Sequence, residues 1–282
     1  MPSAALVLVL VAAASHCAWN LILKSETHRA EISLGALVVG VILAIPVFLF
    51  YPVSAVSAQA WGLIALSAVF ETAYVLLLTA AYQAGDLSLV YPIARGTPGL
   101  LIVPLSITLL GESLSRGGLL GIGLVVVGIF GAHLPTGHAA AGSMRAVGLA
   151  LLTGVAIAAY SLVNKLGVQR VPVPLYAALV FAADALMLAI VLRAQGKLVW
   201  PPLPPGRWKP AVVVGVLMMG SYLGVLGAMA LAPLAYVIAA REVSIVMTTL
   251  AGILLLGERT SWRRLTGAAC IFAGLVAIGL SR

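Results

Sequence analysis

Five charged residues stand inside long apolar runs: Glu71, Arg95, Asp184, Arg241 and Glu242. In an apolar surrounding such groups are rare, face inward and pair with one another or mark a solute or ion path. Glu71 and Asp184 fall near the middle of their runs, and Arg95 and Arg241 about a third of the way into theirs. Two chemistries follow. The arginines with carboxylate partners can form gating ion pairs, or one of the acids can titrate. Polar and aromatic residues share the same runs at helical spacing. His16, Trp19 and Asn20 lie within one turn, and Tyr160 and Asn164 repeat the i, i+4 pattern. Tyr74 and Tyr82 lie on the Glu71 face, Tyr91 precedes Arg95 by four, and Tyr222 adds a further hydroxyl. Aromatic walls with few orienting polar groups suit a small amphipathic solute, so these residues are the expected substrate-binding set.

Structural roles compete at several of them. Tyr82, Tyr91 and Tyr236 lie near segment ends, where an interfacial aromatic belt is favoured. His16 has the chemistry of a proton carrier, yet with Asn20 four residues on it also fits helix packing. His133 and His138 flank the chain midpoint and read as solvated.

The elements that must position these groups are apolar helices. Of 282 residues, 62% are hydrophobic and only 9% charged, and mean hydropathy is +1.16. A soluble domain carries about 25% charged residues, so neither a soluble enzyme nor a disordered chain fits. Ten apolar segments can be read, at 4–23, 32–51, 60–83, 88–110, 117–134, 146–166, 175–195, 210–231, 234–256 and 264–281. Each approaches the roughly 20 residues needed to cross a bilayer. Turn and helix-ending residues separate them, with longer links at Pro135–Arg145 and at the proline-rich stretch 195–210. The first segment resembles a secretory leader in its small residues Ala12–Ala14 but lacks a basic stretch before it, so it is expected to be retained. The net charge of +8 is scattered rather than gathered in a stripe, which reads as topology and lipid contact, not nucleic acid. Cys17 and Cys270 offer neither a disulfide framework nor metal spacing. No nucleotide loop, metal motif or nucleophile elbow is seen, so no cofactor, metal or enzymatic activity is expected.

The halves repeat. Residues 81–134 align without gaps to 227–280, an offset of 146, matching Arg95 to Arg241, Gly111-Glu112 to Gly257-Glu258, Gly121 to Gly267 and Gly128 to Gly274. At an offset of 144, Asn20 meets Asn164 and His16 meets Tyr160. The expected organisation is a five-helix repeat over 1–134, a linker over 135–145 and a second repeat over 146–282. Five crossings per copy invert the second, an arrangement that places a solute site near the midplane between the repeats. It should also carry Arg95 and Arg241 toward opposite faces. Pro92, Pro98 and Pro104 of the fourth segment have no counterparts in the ninth, so bending is expected in one copy only. Gly111 and Gly257 should end their helices in a left-handed turn, each following Glu favouring the next helix N-terminus. The spaced glycines of the fifth and tenth segments permit close packing within the chain or across a dimer.

With Leu109-Leu110-Gly111-Glu112 and Leu255-Leu256-Gly257-Glu258 ending the fourth and ninth of ten segments, the chain resembles EamA-type members of the drug/metabolite transporter superfamily. The resemblance implies an all-α integral membrane protein with helices one to four and six to nine around a cavity. It also implies a multi-pass inner-membrane carrier, monomer or homodimer, exporting amino acids or related metabolites by alternating access. Aromatic amino-acid exporters are the nearest comparison. A drug or metabolite importer of the same fold, and a membrane enzyme or scaffold, are the rival readings. Lysine and arginine in the inferred loops divide ten to four, favouring external termini, whereas the family implies cytoplasmic ones. Orientation stays open.

Overall fold

The computed structural model describes residues 1–26, 29–133, 144–196, 208–256 and 261–281. The midpoint linker (apart from its last two residues), His138, the prolines at 201–205 and the pair Gly257-Glu258 lie outside the described residues. The helices are α1 (Ser3–Ser25), α2 (Arg29–Ala44), α3 (Val47–Phe50), α4 (Ala58–Ala84), α5 (Leu87–Leu110) and α6 (Arg116–His133) in the first half. In the second are α7 (Met144–Val168), α8 (Val173–Ala194), α9 (Trp208–Leu231), α10 (Leu234–Arg241), α11 (Val243–Leu256) and α12 (Trp262–Leu280). A short 3-10 turn, Val53–Ala55, joins α3 to α4.

Among the described residues, eight helices are long and apolar enough to cross a membrane, and Arg116–Ala132 is a shorter apolar helix. The chain is a multi-pass membrane protein. Two of the expected segments are interrupted. The second breaks at Ile45-Pro46, where proline cannot continue the ladder, leaving the four-residue α3. The ninth breaks at Glu242 without a proline, its N–H turning back to the carbonyls of Ala239 and Ala240. The fourth, despite Pro92, Pro98 and Pro104, is one helix. In the fourth and ninth segments, interruption and proline content are therefore uncoupled.

Local chemistry sets the ends. Ser57 and Ser261 cap α4 and α12 by accepting the N–H groups of Ala60 and Arg264. Gly111 ends α5 with φ 65° and ψ 22°, the left-handed conformation that glycine adopts without a Cβ penalty. Glu112 does not serve the next helix, as expected above. Its Oε2 accepts the N–H of Leu234, 2.7 Å away at the start of α10. The turn after Gly111 carries the side chain toward the other half of the molecule.

Most packing runs between the halves. α1 lies on α9 and α4 on α7; α2 lies on α9 and α4 on α8; α5 lies on α7 while α1 touches α10 and α11. α2 meets α8, and α6 meets α12. The last pair is held by glycine. A Cβ on Gly121 would stand 2.7 Å from the Gly274 carbonyl oxygen, and one on Gly128 2.7 Å from that of Gly267. One series ascends as the other descends, so α6 and α12 are antiparallel, and their glycine faces are occupied by each other within the chain. Gly123 has open space around it.

Gly128→Leu is expected to separate α6 from α12 at a backbone-to-backbone contact. Overpacking of this kind costs about 1–3 kcal/mol. Thermal unfolding in detergent should show a clearly lowered midpoint for Gly128→Leu and an unchanged one for Gly123→Leu.

Candidate functional site

A cavity of about 510 Å³ opens between the halves, walled by α1, α2, α4, α5, α7, α8, α9 and α10. Its polar lining gathers almost the whole expected set. α1 contributes His16, Trp19 and Asn20; α4 contributes Glu71 and Tyr74; α5 contributes Arg95. From the second half come Tyr160 and Asn164 on α7, Asp184 on α8, Tyr222 on α9 and Arg241 at the end of α10. Tyr82 and Tyr91 are the corrections. Eleven residues of helix carry Tyr82 about 16 Å along the axis from Glu71, beyond the cavity, where its side chain is 37% exposed. Tyr91 lies behind Arg95, whose guanidinium carbon stands 6.0 Å from its ring centroid. Tyr236 is not in a lipid-facing belt either. It is 5% exposed and its hydroxyl accepts the Ser115 N–H at 2.8 Å.

The carboxyl end of the cavity is built around Glu71. Its Oε1 accepts hydrogen bonds from Tyr222 (3.0 Å), Asn164 (3.1 Å) and Ser67 (3.1 Å). Asn164 Oδ1 in turn accepts from Ser67 (2.6 Å) and Tyr176 (2.9 Å). The Ser67 hydroxyl has one proton for two acceptors. Asp184 lines the same cavity from α8, and its Oδ1 is buried without a partner. Each donor comes from a different place in the chain, so this node ties α4 to α7, α8 and α9. Asn20, the repeat counterpart of Asn164, has a different fate: its amide donates to the His16 carbonyl of its own helix at 2.7 Å.

The guanidinium end lies elsewhere on the wall. Arg95 pairs with Glu242 at 3.6 Å. Arg241 lines the cavity together with Tyr160, and its Nε is buried with no hydrogen-bond partner. Both arginines line the one cavity, with Tyr74 and His16. Depth accounts for this. Arg95 sits eight residues into α5 and Arg241 seven into α10, or about 12 and 10 Å at 1.5 Å per residue. The midplane of a hydrocarbon core about 30 Å thick is about 15 Å deep, so opposed entry still brings both near the centre. Arg241 and Glu242 point about 100° apart on a helix; the break between α10 and α11 lets one face the cavity and the other face α5. Aromatic rings line the space between: Tyr74 lies 6.0 Å from Tyr160, Phe181 5.3 Å from Tyr222, and His16 meets Trp19 edge-on at 4.9 Å.

Three contributors escaped the sequence reading. Ser67 stands one turn before Glu71, a spacing that marks it in retrospect. Tyr176, two residues after Pro174, is fully buried against Gly167. Lys165 had been assigned to a loop. It is buried, donates to the carbonyls of Met229 (2.6 Å) and Ala232 (2.9 Å), and pairs with Glu112 at 3.2 Å. Glu112 and Lys165 thus join the end of α5 to α7, α9 and the start of α10 beside the cavity, whose lining includes Met229.

Breaking one side of a buried pair costs about 3–5 kcal/mol, and replacing both by apolar groups costs much less. Glu112→Ala should therefore lower thermal stability more than the double variant Glu112→Leu/Lys165→Met, as read by unfolding midpoints in detergent.

Residues 144–280 match the model of the EamA-like transporter family, just under half of the chain. No curated protein matches. Among solved structures, one described only as "Crystal structure of protein" is similar with a TM-score of 0.78 at 17% identity, covering 99% of this chain and 98% of that one. At that identity the likeness speaks for the fold of the whole chain, while the family match gives its second half the character of an EamA-like transporter domain.

Proposed function

We propose that the chain is a secondary transporter that moves a small organic solute through the central cavity by alternating access. The observation that carries the reading is convergence. Polar residues scattered over eight helices, each costly to place in a bilayer, meet on one cavity between two halves. The size of that cavity lies in the range of small-molecule sites, about 300–1,000 Å³. Ten crossings arranged as an inverted 5+5 repeat are supported by the packing. Exchanging the halves turns the α1–α9 contact into α7–α4, α2–α9 into α8–α4, and α5–α7 into the contact of α10 and α11 with α1. The α2–α8 and α6–α12 contacts map onto themselves. A repeat interface of this kind is where such carriers hold their solute.

The solute class is amino acids or related metabolites, with aromatic ones suited to the rings of Trp19, Tyr74, Phe181 and Tyr222. Outward movement across the inner membrane follows the family resemblance. No chemical step is needed: binding, closure on one side and opening on the other suffice, and Glu71 with Asp184 is the place where a proton can be exchanged during the cycle.

The test is flux in proteoliposomes loaded with a mixture of the twenty radiolabelled proteinogenic amino acids. Saturable, selective efflux is expected, and its pH dependence should flatten in Glu71→Gln. Tyr82→Phe, outside the cavity, should leave flux unchanged. Non-saturable leakage equal to that of empty liposomes contradicts the reading. An unaltered pH profile in Glu71→Gln removes the titrating role of that residue.

A further inference from the structure

Charge at the guanidinium end does not balance. Two cations, Arg95 and Arg241, face one carboxylate, Glu242. Glu242 Oε1 is engaged with Arg95. The Tyr160 hydroxyl lines the same cavity as Arg241, and the Arg241 Nε is buried with no partner. Arg95 lines the same cavity and repels Arg241, and Glu242 is paired through Oε1 with Arg95 while its Oε2 has no hydrogen-bond partner. Glu71 is held at the other end of the cavity by Tyr222, Asn164 and Ser67, and Asp184 lines the same cavity. A guanidinium whose Nε is buried without a partner and which lines a solute-sized space lacks an anion.

We infer that Arg241 is the docking residue for a carboxylate carried by the solute itself, which makes the transported class monocarboxylates with an apolar or aromatic body. The excess at this end is one positive charge, which a single carboxylate neutralises and a doubly charged phosphate overshoots. Guanidinium offers two parallel N–H groups to the two oxygens of a carboxylate. The rings of Tyr74, Tyr160 and Trp19 flank the place where an apolar body continues from that carboxylate. An organic cation without a carboxylate meets Arg95 and Arg241 and is repelled. The break between α10 and α11 serves this arrangement: it keeps Glu242 turned toward Arg95, so that Arg241 is not neutralised from within.

The substrate class rests on the transport reading; the docking itself does not, and the experiment separates them. Binding to purified protein in nanodiscs is measured by thermal shift with three probes of similar shape: 3-phenylpropionate, phenethylamine and phenylphosphonate. The expected result is stabilisation by 3-phenylpropionate, with phenethylamine inert and the phosphonate weaker. Loss of a hydrogen-bonded charge partner, about 1.5–3 kcal/mol, corresponds to an affinity at least about tenfold lower in Arg241→Gln. Arg241→Lys, which keeps the charge without the fork, should fall between. If Arg241→Gln does not fold, the probe selectivity of the wild-type protein decides alone. Equal binding of the amine, no binding of 3-phenylpropionate, or undiminished binding in a folded Arg241→Gln overturns the proposal. Carboxylate binding without flux in proteoliposomes leaves the docking site standing and removes the transport reading; amino-acid flux indifferent to Arg241 does the reverse.

Discussion

The structure depends on one constraint: a polar group in an apolar interior must find its partner inside the protein. A charge at the centre of a membrane helix costs about 2.5–3.5 kcal/mol on insertion scales. The chain meets that cost by distributing partners across helices remote in sequence. Glu71 illustrates it. Its three donors come from α4, α7 and α9, and its neighbouring acid from α8. No helix could satisfy Glu71 alone, so the folded node and the assembled cavity wall are the same event. Lys165 obeys the same rule beside the cavity. Its ammonium takes up two end carbonyls of α9, and its partner Glu112 takes up the first N–H of α10.

The same constraint explains where the backbone departs from a regular helix. Unpaired backbone groups inside a bilayer are tolerated only where protein or a cavity surrounds them. The interruption at Glu242 lies among buried residues, next to the cavity that Arg241 lines. It sends two adjacent charged side chains to two different jobs: one to Arg95, one to the cavity. The three prolines of α5 do not break that helix, and Thr97 and Thr108 donate to the carbonyls of Ile93 and Pro104 in the same helix. Close glycine packing of α6 on α12 clamps the periphery, leaving the lined space to the other helices.

Much of this was legible in the sequence because apolar surroundings make polar residues conspicuous. Glu71, Asp184, Arg95 and Arg241 stand out by type alone, and helical spacing attached His16, Asn20, Tyr74 and Asn164 to them. The spacing of the glycines anticipated the α6–α12 contact. What spacing could not convey was distance along the axis and the identity of the facing helix. Tyr82 shares a face with Glu71 and still lies too far along it. Glu112 follows a helix-ending glycine and still caps a helix of the other half. Tyr236 lies near a segment end as a belt residue would, but Ser115, distant in sequence, holds it inside, as Asn164 of the preceding helix holds Tyr176. Lys165 follows Asn164 directly and looked like a loop residue until its carbonyl partners were seen.

The central claim is that the lined cavity is a path opened alternately to the two sides of the membrane. Its most direct test places a single cysteine at Thr72, on the cavity wall, in a chain with Cys17 and Cys270 replaced by Ala. A membrane-impermeant thiol reagent is then applied to one side or the other of oriented proteoliposomes. Alternating access predicts labelling from either side, with saturating substrate changing the two rates in opposite directions. Labelling from one side only, unmoved by substrate, would show a blind pocket and contradict the account.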